Sequence, residues 1–196
     1  MTIFSTVEPQ RVRRFWIAAV IVALMQTIIL GYIIDGRAAI LSHGAEVLLK
    51  TAPVDPRDLL RGDYVTLNYD ISRVPASTLT GGLPAADGDN VLSVRLQPQA
   101  DGYWGIAESS FSPLPEKAGT VVLKSLPLAY LPVAGQDQIS VDYGIERYYL
   151  PEGSGKDVEA AENSRLSVAV RVSGDGEAQI RSLLIDGKPV YDEPLY

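Results

Sequence analysis

Nucleophilic catalysis is the first chemistry that this sequence could support, because a lysine and a serine stand side by side. Lys124 and Ser125 are adjacent. A serine hydroxyl becomes a nucleophile when a neutral lysine, buried at a depressed pKa, accepts its proton. Residues 120–123 are predicted to form a strand, however, and adjacent residues of a strand point to opposite faces of a sheet. Lys124 and Ser125 would then point away from each other. We therefore assign no catalytic residue.

Metal binding has little support in the residue types. His43 is the only histidine and there is no cysteine, which excludes a disulfide framework and a thiolate metal site. Residues 87–90, DGDN, resemble the opening of a calcium loop, but no glutamate stands at the twelfth position, where such a loop needs one. Four carboxylates could pair as acid and base, although strand spacing does not bring them together: Asp63, Asp70, Asp142 and Glu146. We expect no metal and no cofactor.

A run of aromatic and charged residues could bind a protein partner. Its members are Tyr143, Glu146, Arg147, Tyr148 and Tyr149. Tyrosine and arginine are favoured where interfaces concentrate their binding energy. The alternative is an internal arrangement in which the arginine stacks on tyrosines and Glu146 is its ion-pair partner. Both interpretations remain open at this point.

The elements that would position such groups begin with residues 50–71. Asp55 can cap a helix, Pro56 suits its first turn and Asp58 favours its positive end. Arg61 and Gly62 suit the carboxyl end, so we expect a short helix to begin at Asp55 and to stop at the glycine.

A strand is predicted after this helix. From Tyr64 onwards the residues alternate, so that one face of the strand is apolar and the other is mostly polar. The apolar face carries Val65, Leu67, Tyr69 and Ile71. We expect Leu67 and Tyr69 to lie in the core.

Residues 62–69, GDYVTLNY, match at every specified position the motif of the GDYXXLXY family. Residues 53–58, 143–149, 151–153 and 185–188 are also similar to that family, so the resemblance covers roughly residues 40–190. The chain is identified as a member. The resemblance implies a membrane-anchored bacterial protein of unassigned biochemical function, often encoded near polytopic membrane proteins. The motif and structural residues that it points to are Asp55, Pro56, Arg57, Asp58, Arg61, Gly62, Asp63, Tyr64, Leu67 and Tyr69.

One segment is long and apolar enough to cross a membrane. Residues 15–34 contain no charge and would rise about 30 Å as a helix. Three arginines precede this segment, which favours a cytoplasmic amino terminus and an exported remainder. We predict a cytoplasmic tail at 1–14, a transmembrane helix at 15–34, a stalk at 35–46 and a periplasmic domain at 47–196, anchored in the bacterial inner membrane. A cleaved signal peptide is the alternative, since residues 36–39 are mostly small.

The predicted membrane helix has a face suited to helix contacts. Ala19 and Ala23 are four residues apart and Gln26 falls on the same side. Small residues permit close approach of two helices, and an amide in lipid is costly unless it finds a partner. Besides the lipid bilayer, we therefore expect an integral-membrane partner or a homo-oligomer.

The exported part is expected to be mainly β, barrel-like or sandwich-like, with a possible α+β variant because short helices are predicted. Short β-rich runs alternate with turn residues, and residues 155–163 suit a further helix. Residues 35–196 carry 14 lysines and arginines against 23 aspartates and glutamates, a formal net charge of −9. Such a surface disfavours nucleic-acid binding.

The function expected from these features is that of a non-catalytic, membrane-anchored periplasmic subunit. An envelope enzyme is an alternative, because the single anchor, the β-domain and residues 61–65 resemble signal peptidases. Residues 52–55, APVD, lack a serine where that family has its nucleophile. A periplasmic ligand sensor is the third possibility, although so short a cytoplasmic tail would need a signalling partner.

Overall fold

The computed structural model describes residues 9–52, 64–84, 90–130, 132–133, 135–149 and 166–193. The helix predicted to begin at Asp55 and the helix predicted over 155–163 both lie outside these residues. The chain divides into two compact units, residues 1–39 and residues 40–196.

The first unit is formed by one long helix. Helix α1 spans Pro9–His43, 35 residues. Its large apolar side chains from Phe15 to Ile34 are exposed, whereas Ile40 and Leu41 near its end are buried. Within it, Arg13–His43 is long and apolar enough to cross a membrane. A helix satisfies its backbone N–H and C=O groups internally, which is why apolar segments form helices in lipid. Thr27 also donates its hydroxyl to the Ala23 carbonyl at 2.9 Å.

The second unit is built from twelve described strands and two short 3₁₀ turns. The strands are β1 Ala45–Lys50, β2 Tyr64–Thr66, β3 Arg73–Pro75, β4 Leu79–Thr80, β5 Ser93–Pro98, β6 Trp104–Ser110, β7 Val121–Lys124, β8 Gln138–Ser140, β9 Arg147–Tyr149, β10 Leu166–Val172, β11 Ala178–Ile185 and β12 Lys188–Asp192. The 3₁₀ turns are Asp70–Ser72 and Ala76–Thr78.

The strands form two four-stranded sheets and two short ribbons. One sheet has the order β1-β10-β11-β12 and is antiparallel throughout. The other has the order β4-β6-β5-β7, with β4 parallel to β6. The ribbons are β2-β9 and β3-β8. The predicted class, mainly β after one amino-terminal helix, is confirmed; these sheets are open, so the barrel variant does not apply to the described residues.

One hydrophobic core joins the inner faces of the sheets and both ribbons. Alternate residues of a strand point to opposite faces, and β1 buries Val47 and Leu49 completely in this way. The core also takes side chains from the other sheet, such as Leu96, and from the ribbons, such as Val65 and Val74. The ribbons are therefore packed parts of the domain.

The stretch predicted as a stalk, residues 35–46, is helical as far as His43. The backbone N–H of Gly44 donates to the Ile40 carbonyl at 2.8 Å, and β1 starts at the next residue. A Cβ on Gly44 would lie 2.5 Å from the Ile40 oxygen and 3.0 Å from the Val172 nitrogen and oxygen. Only glycine fits between these backbone groups.

Replacing Gly44 by alanine should destabilise the β-domain by about 1–3 kcal/mol, because the backbone of β10 or of α1 must shift to make room. Thermal unfolding of the full chain in detergent micelles measures the effect. Gly174→Ala is the matched control, since its added Cβ meets nothing within 4 Å. Equal melting temperatures for the two variants would contradict the packing described for Gly44.

Candidate interaction site

The two motif-bearing segments, residues 64–76 and 137–149, run side by side as one interrupted antiparallel ribbon. At one end Tyr64 pairs with Tyr149, and at the other end Pro75 pairs with Gln138. The register is the same at both ends, because each forward step in one segment matches one backward step in the other. In the same register, the backbone N–H of Leu67 donates to the Glu146 carbonyl at 2.7 Å. We call this pair of segments the motif ribbon.

Two tyrosines bridge the middle of the motif ribbon, where no strand is formed. The Tyr69 hydroxyl donates to the Ile145 carbonyl at 2.6 Å, and the Tyr143 hydroxyl donates to the Ile71 carbonyl at 2.8 Å. Each segment thus supplies one hydroxyl and one carbonyl. Both rings are buried. Each bond therefore supplies a donor to a carbonyl that would otherwise be buried without a hydrogen bond, which costs free energy.

Glu146 shapes the turn that carries Tyr143. Its two carboxylate oxygens accept the backbone N–H groups of Tyr143 and Gly144 at 2.5 and 2.9 Å. Gly144 has a φ of +81°, a conformation that side-chain-bearing residues rarely adopt. The Glu146 carboxylate thus binds the backbone of its own turn. The alternative interpretation from the sequence had instead paired this carboxylate with Arg147.

The electrostatics of this turn keep both tyrosines protonated. Burial raises the pKa of the Tyr69 phenol well above its ordinary value, and the nearby Glu146 carboxylate raises it further. The same two causes, in the same order, raise the pKa of Tyr143. A protonated hydroxyl is the form that can donate to a carbonyl, so the raised pKa values favour the bridging bonds.

The motif ribbon is also attached to the first sheet. The N–H of Ala52 donates to the Asn68 carbonyl at 2.8 Å, and Thr51 forms a β-bridge with Tyr69. The side chain of Leu67 lies in the core, as predicted for it and for Tyr69. The motif residues Leu67 and Tyr69 therefore hold the ribbon to the rest of the domain.

The outer face of the β2-β9 end exposes aromatic and cationic groups. The rings of Tyr64 and Tyr149 are 5.7 Å apart, and the Arg147 guanidinium carbon is 6.0 Å from the centroid of the Tyr64 ring. Tyr149 is 65% exposed, Arg147 is exposed and Tyr64 is half-buried. We call these three residues the tyrosine–arginine patch.

The structure separates the residues predicted for partner binding into two groups. Tyr143 and Tyr148 are buried, and the Tyr148 ring packs 6.0 Å from that of Tyr191. Arg147 and Tyr149 are exposed. Sequence reasoning placed Tyr64 with the structural residues, although the strand alternation that buries Val65 already puts Tyr64 on the outer face.

Other predicted residues fall in different places. The motif residues Asp55, Pro56, Arg57, Asp58, Arg61, Gly62 and Asp63, and most of the calcium-like segment, lie outside the described residues. Ala19, Ala23 and Gln26 are exposed on α1. His43 is exposed at the end of that helix.

The lysine–serine pair has no catalytic arrangement. Ser125 is buried, its hydroxyl donates to the Leu126 carbonyl at 2.8 Å, and it accepts the Leu92 N–H at 2.9 Å. Lys124 is exposed. In the part of the chain that the structure describes, no group of three or more histidines and carboxylates is placed to hold a metal ion.

A family model described as GDYXXLXY protein matches residues 26–183, which include both segments of the motif ribbon. No curated protein and no solved structure matches the chain.

Tyr69→Phe and Tyr143→Phe should each destabilise the domain by about 1–3 kcal/mol, since each change leaves a buried carbonyl without its donor. Chemical denaturation followed by tryptophan fluorescence measures the free energy of unfolding. Tyr149→Phe removes an exposed hydroxyl and should stay within about 0.5 kcal/mol of the parent. If Tyr69→Phe were as stable as Tyr149→Phe, the bridging role would be wrong.

Stability should fall as the pH rises above the ordinary tyrosine pKa of 10. The folded pKa of Tyr69 is raised, so in alkali the unfolded state binds fewer protons than the folded state, and the free energy of unfolding decreases with pH. The contribution of Tyr69 to the free energy of unfolding is complete below pH 10 and is lost as the pH rises above that value. Melting temperatures between about pH 9 and pH 11 should fall less steeply in Tyr69→Phe than in the parent. Identical slopes would contradict this assignment.

Proposed function

The chain belongs to the GDYXXLXY protein family, and from that premise we propose that it is a non-catalytic accessory subunit of a bacterial inner-membrane assembly. Residues 15–34 cross the bilayer, the amino terminus is cytoplasmic and the β-domain faces the periplasm. The orientation rests on Arg11, Arg13 and Arg14, which precede the apolar segment.

The observation that carries this proposal is the tyrosine–arginine patch. Tyrosine and arginine supply large contact area and directional bonding at the energetic centres of interfaces. The three side chains stand on paired strands whose neighbouring turn is held by the bridging tyrosines, so little conformational entropy is lost when a partner binds. A rigid, exposed aromatic surface is what a docking subunit requires.

The anchor offers a second contact surface. Gln26 lies near the middle of the apolar segment, and its amide is costly in hydrocarbon without a partner. Ala19 and Ala23 allow another helix to approach closely. An integral-membrane protein that bonds Gln26 and meets the β-domain fits both surfaces, and a second copy of this chain is the other possible helix partner.

A periplasmic ligand sensor is the second candidate. It is supported by a groove of about 900 Å³ lined by residues that include His43, Lys117 and Asp175. The buried Arg95 of this groove already binds Glu108, Thr120 and the Pro115 carbonyl. That arginine is thus engaged within the domain by one ion pair and two further hydrogen bonds, and we prefer the subunit role over the sensor and over an envelope enzyme.

Removing the tyrosine–arginine patch should release the partner. The double change Arg147→Ala and Tyr149→Ala should lower the amount of the companion protein that co-purifies with the full chain in mild detergent by roughly tenfold or more, because buried interface tyrosines and arginines carry most of the binding energy. Quantitative mass spectrometry of the purified complex gives the ratio. Lys188→Ala, an exposed cation on β12, is the control.

In the same experiment Gln26→Leu distinguishes contact within the membrane from contact by the β-domain. A loss of the companion with Gln26→Leu as well as with the patch variant supports both contacts. Full recovery of the companion with each variant, or a chain that purifies alone, would overturn the subunit role.

A further inference from the structure

The second segment of the motif ribbon leaves one edge of a strand unpaired. Among the described strands, β8 pairs with β3 alone. On the side of β3, the Asp137 carbonyl accepts the N–H of Ala76 at 2.8 Å, and the N–H of Val141 donates to the Ser72 carbonyl at 2.9 Å. In an antiparallel pair, alternate residues direct both polar backbone groups to the same side. The N–H and C=O groups of Gln138 and Ser140 are therefore directed away from β3.

These groups have no hydrogen-bond partner among the residues that the structure describes. Two residues further on, the Asp142 carbonyl on the same edge accepts the N–H of Leu126 at 2.7 Å. Beyond this bond, residues 126–130 diverge from β8, and a groove of about 300 Å³ lies between them. The free strand edge forms one wall of this groove and residues 126–130 form another.

The walls of the groove combine apolar side chains with negative charge. Leu126 is 50% exposed and Tyr130 is 88% exposed, so both present apolar surface to solvent. Among the described residues, the lining of the groove includes Asp142 and no lysine, arginine or histidine. The exposed Asp137 lies at the other end of β8. An acidic residue thus flanks each end of the free edge.

We propose that this groove binds an extended, basic peptide segment of a partner protein, which adds to β8 as an antiparallel or parallel strand. Main-chain bonds to Gln138 and Ser140 supply affinity, and alternate side chains of the peptide contact Leu126 and Tyr130. Cationic residues of the segment face Asp137 and Asp142. The inference deepens the proposed subunit function, since it names the chemistry of the segment that the partner presents.

A second copy of this chain fits the groove less well. Pairing of β8 with itself would bring Asp137 and Asp142 of both copies together, which places four carboxylates at one short interface. Like charges in such positions are destabilising. The occupant is therefore assigned as a basic strand of another protein.

The test uses the full chain, isotope-labelled in detergent micelles, and the blocked peptide Lys-Val-Thr-Val-Lys as the probe. At a peptide concentration of about ten times Kd, hydrogen exchange of the Ser140 and Gln138 amides should slow about tenfold. Ser140→Pro removes the N–H that faces the groove and no backbone bond to β3, and it should weaken binding about tenfold relative to Ser140→Ala, which keeps that N–H. The same peptide with glutamate in place of lysine should bind more weakly.

Absence of protection at millimolar peptide, or equal Kd for the proline and alanine variants, would overturn the inference. If Ser140→Pro fails to fold, Tyr130→Ala, an exposed position, takes its place and should also weaken binding. A concentration-dependent dimer that Ser140→Pro abolishes would assign the edge to a second copy and would likewise overturn the proposal. Peptide binding is measured without the native companion protein. If the peptide binds but no companion co-purifies, only the subunit role is contradicted. If a companion co-purifies equally well with Ser140→Pro, only this inference is contradicted.

Discussion

Two hydrogen bonds from buried tyrosine hydroxyls to backbone carbonyls hold the motif ribbon together. The backbone ladder between residues 64–76 and 137–149 is broken in the middle by a 3₁₀ turn on one side and by the Glu146 turn on the other. Without Tyr69 and Tyr143, the Ile145 and Ile71 carbonyls would be buried and unpaired. Because such a loss costs more than an ordinary hydrogen bond gains, the tyrosine pair keeps the two segments in a single register.

The surfaces that we assign to partner binding both depend on that register. The tyrosine–arginine patch requires β2 to pair with β9 so that Tyr64 stands beside Arg147 and Tyr149. The free edge of β8 requires the same register at the other end of the ribbon. A slip of one residue would turn both sets of groups to the opposite face. The bridging tyrosines, which are buried in the core, therefore position the residues that we propose for partner binding.

Local features of the fold were predictable from the sequence, whereas the pairing of distant segments was not. The strand at Leu166–Val172 and the turn at Asp186 and Gly187 follow from alternation and from residues that tolerate a positive φ, which is 50° and 74° at these two positions. The burial of Leu67 and Tyr69 follows from the same alternation. The bond from Tyr69 to Ile145 joins residues 76 positions apart, and no local pattern encodes such a contact. For this reason Tyr143 and Tyr148 were placed with exposed residues, although the core contains them.

We propose that the outer face of the motif ribbon contacts an integral-membrane protein in the cell. Photo-crosslinking in living cells tests it most directly, with a photoreactive amino acid in place of Tyr149 and, as the reference, in place of Lys188 on β12. We expect a crosslink from position 149 to one membrane protein and none from position 188. No crosslink from position 149, or the same products from both positions, would contradict it.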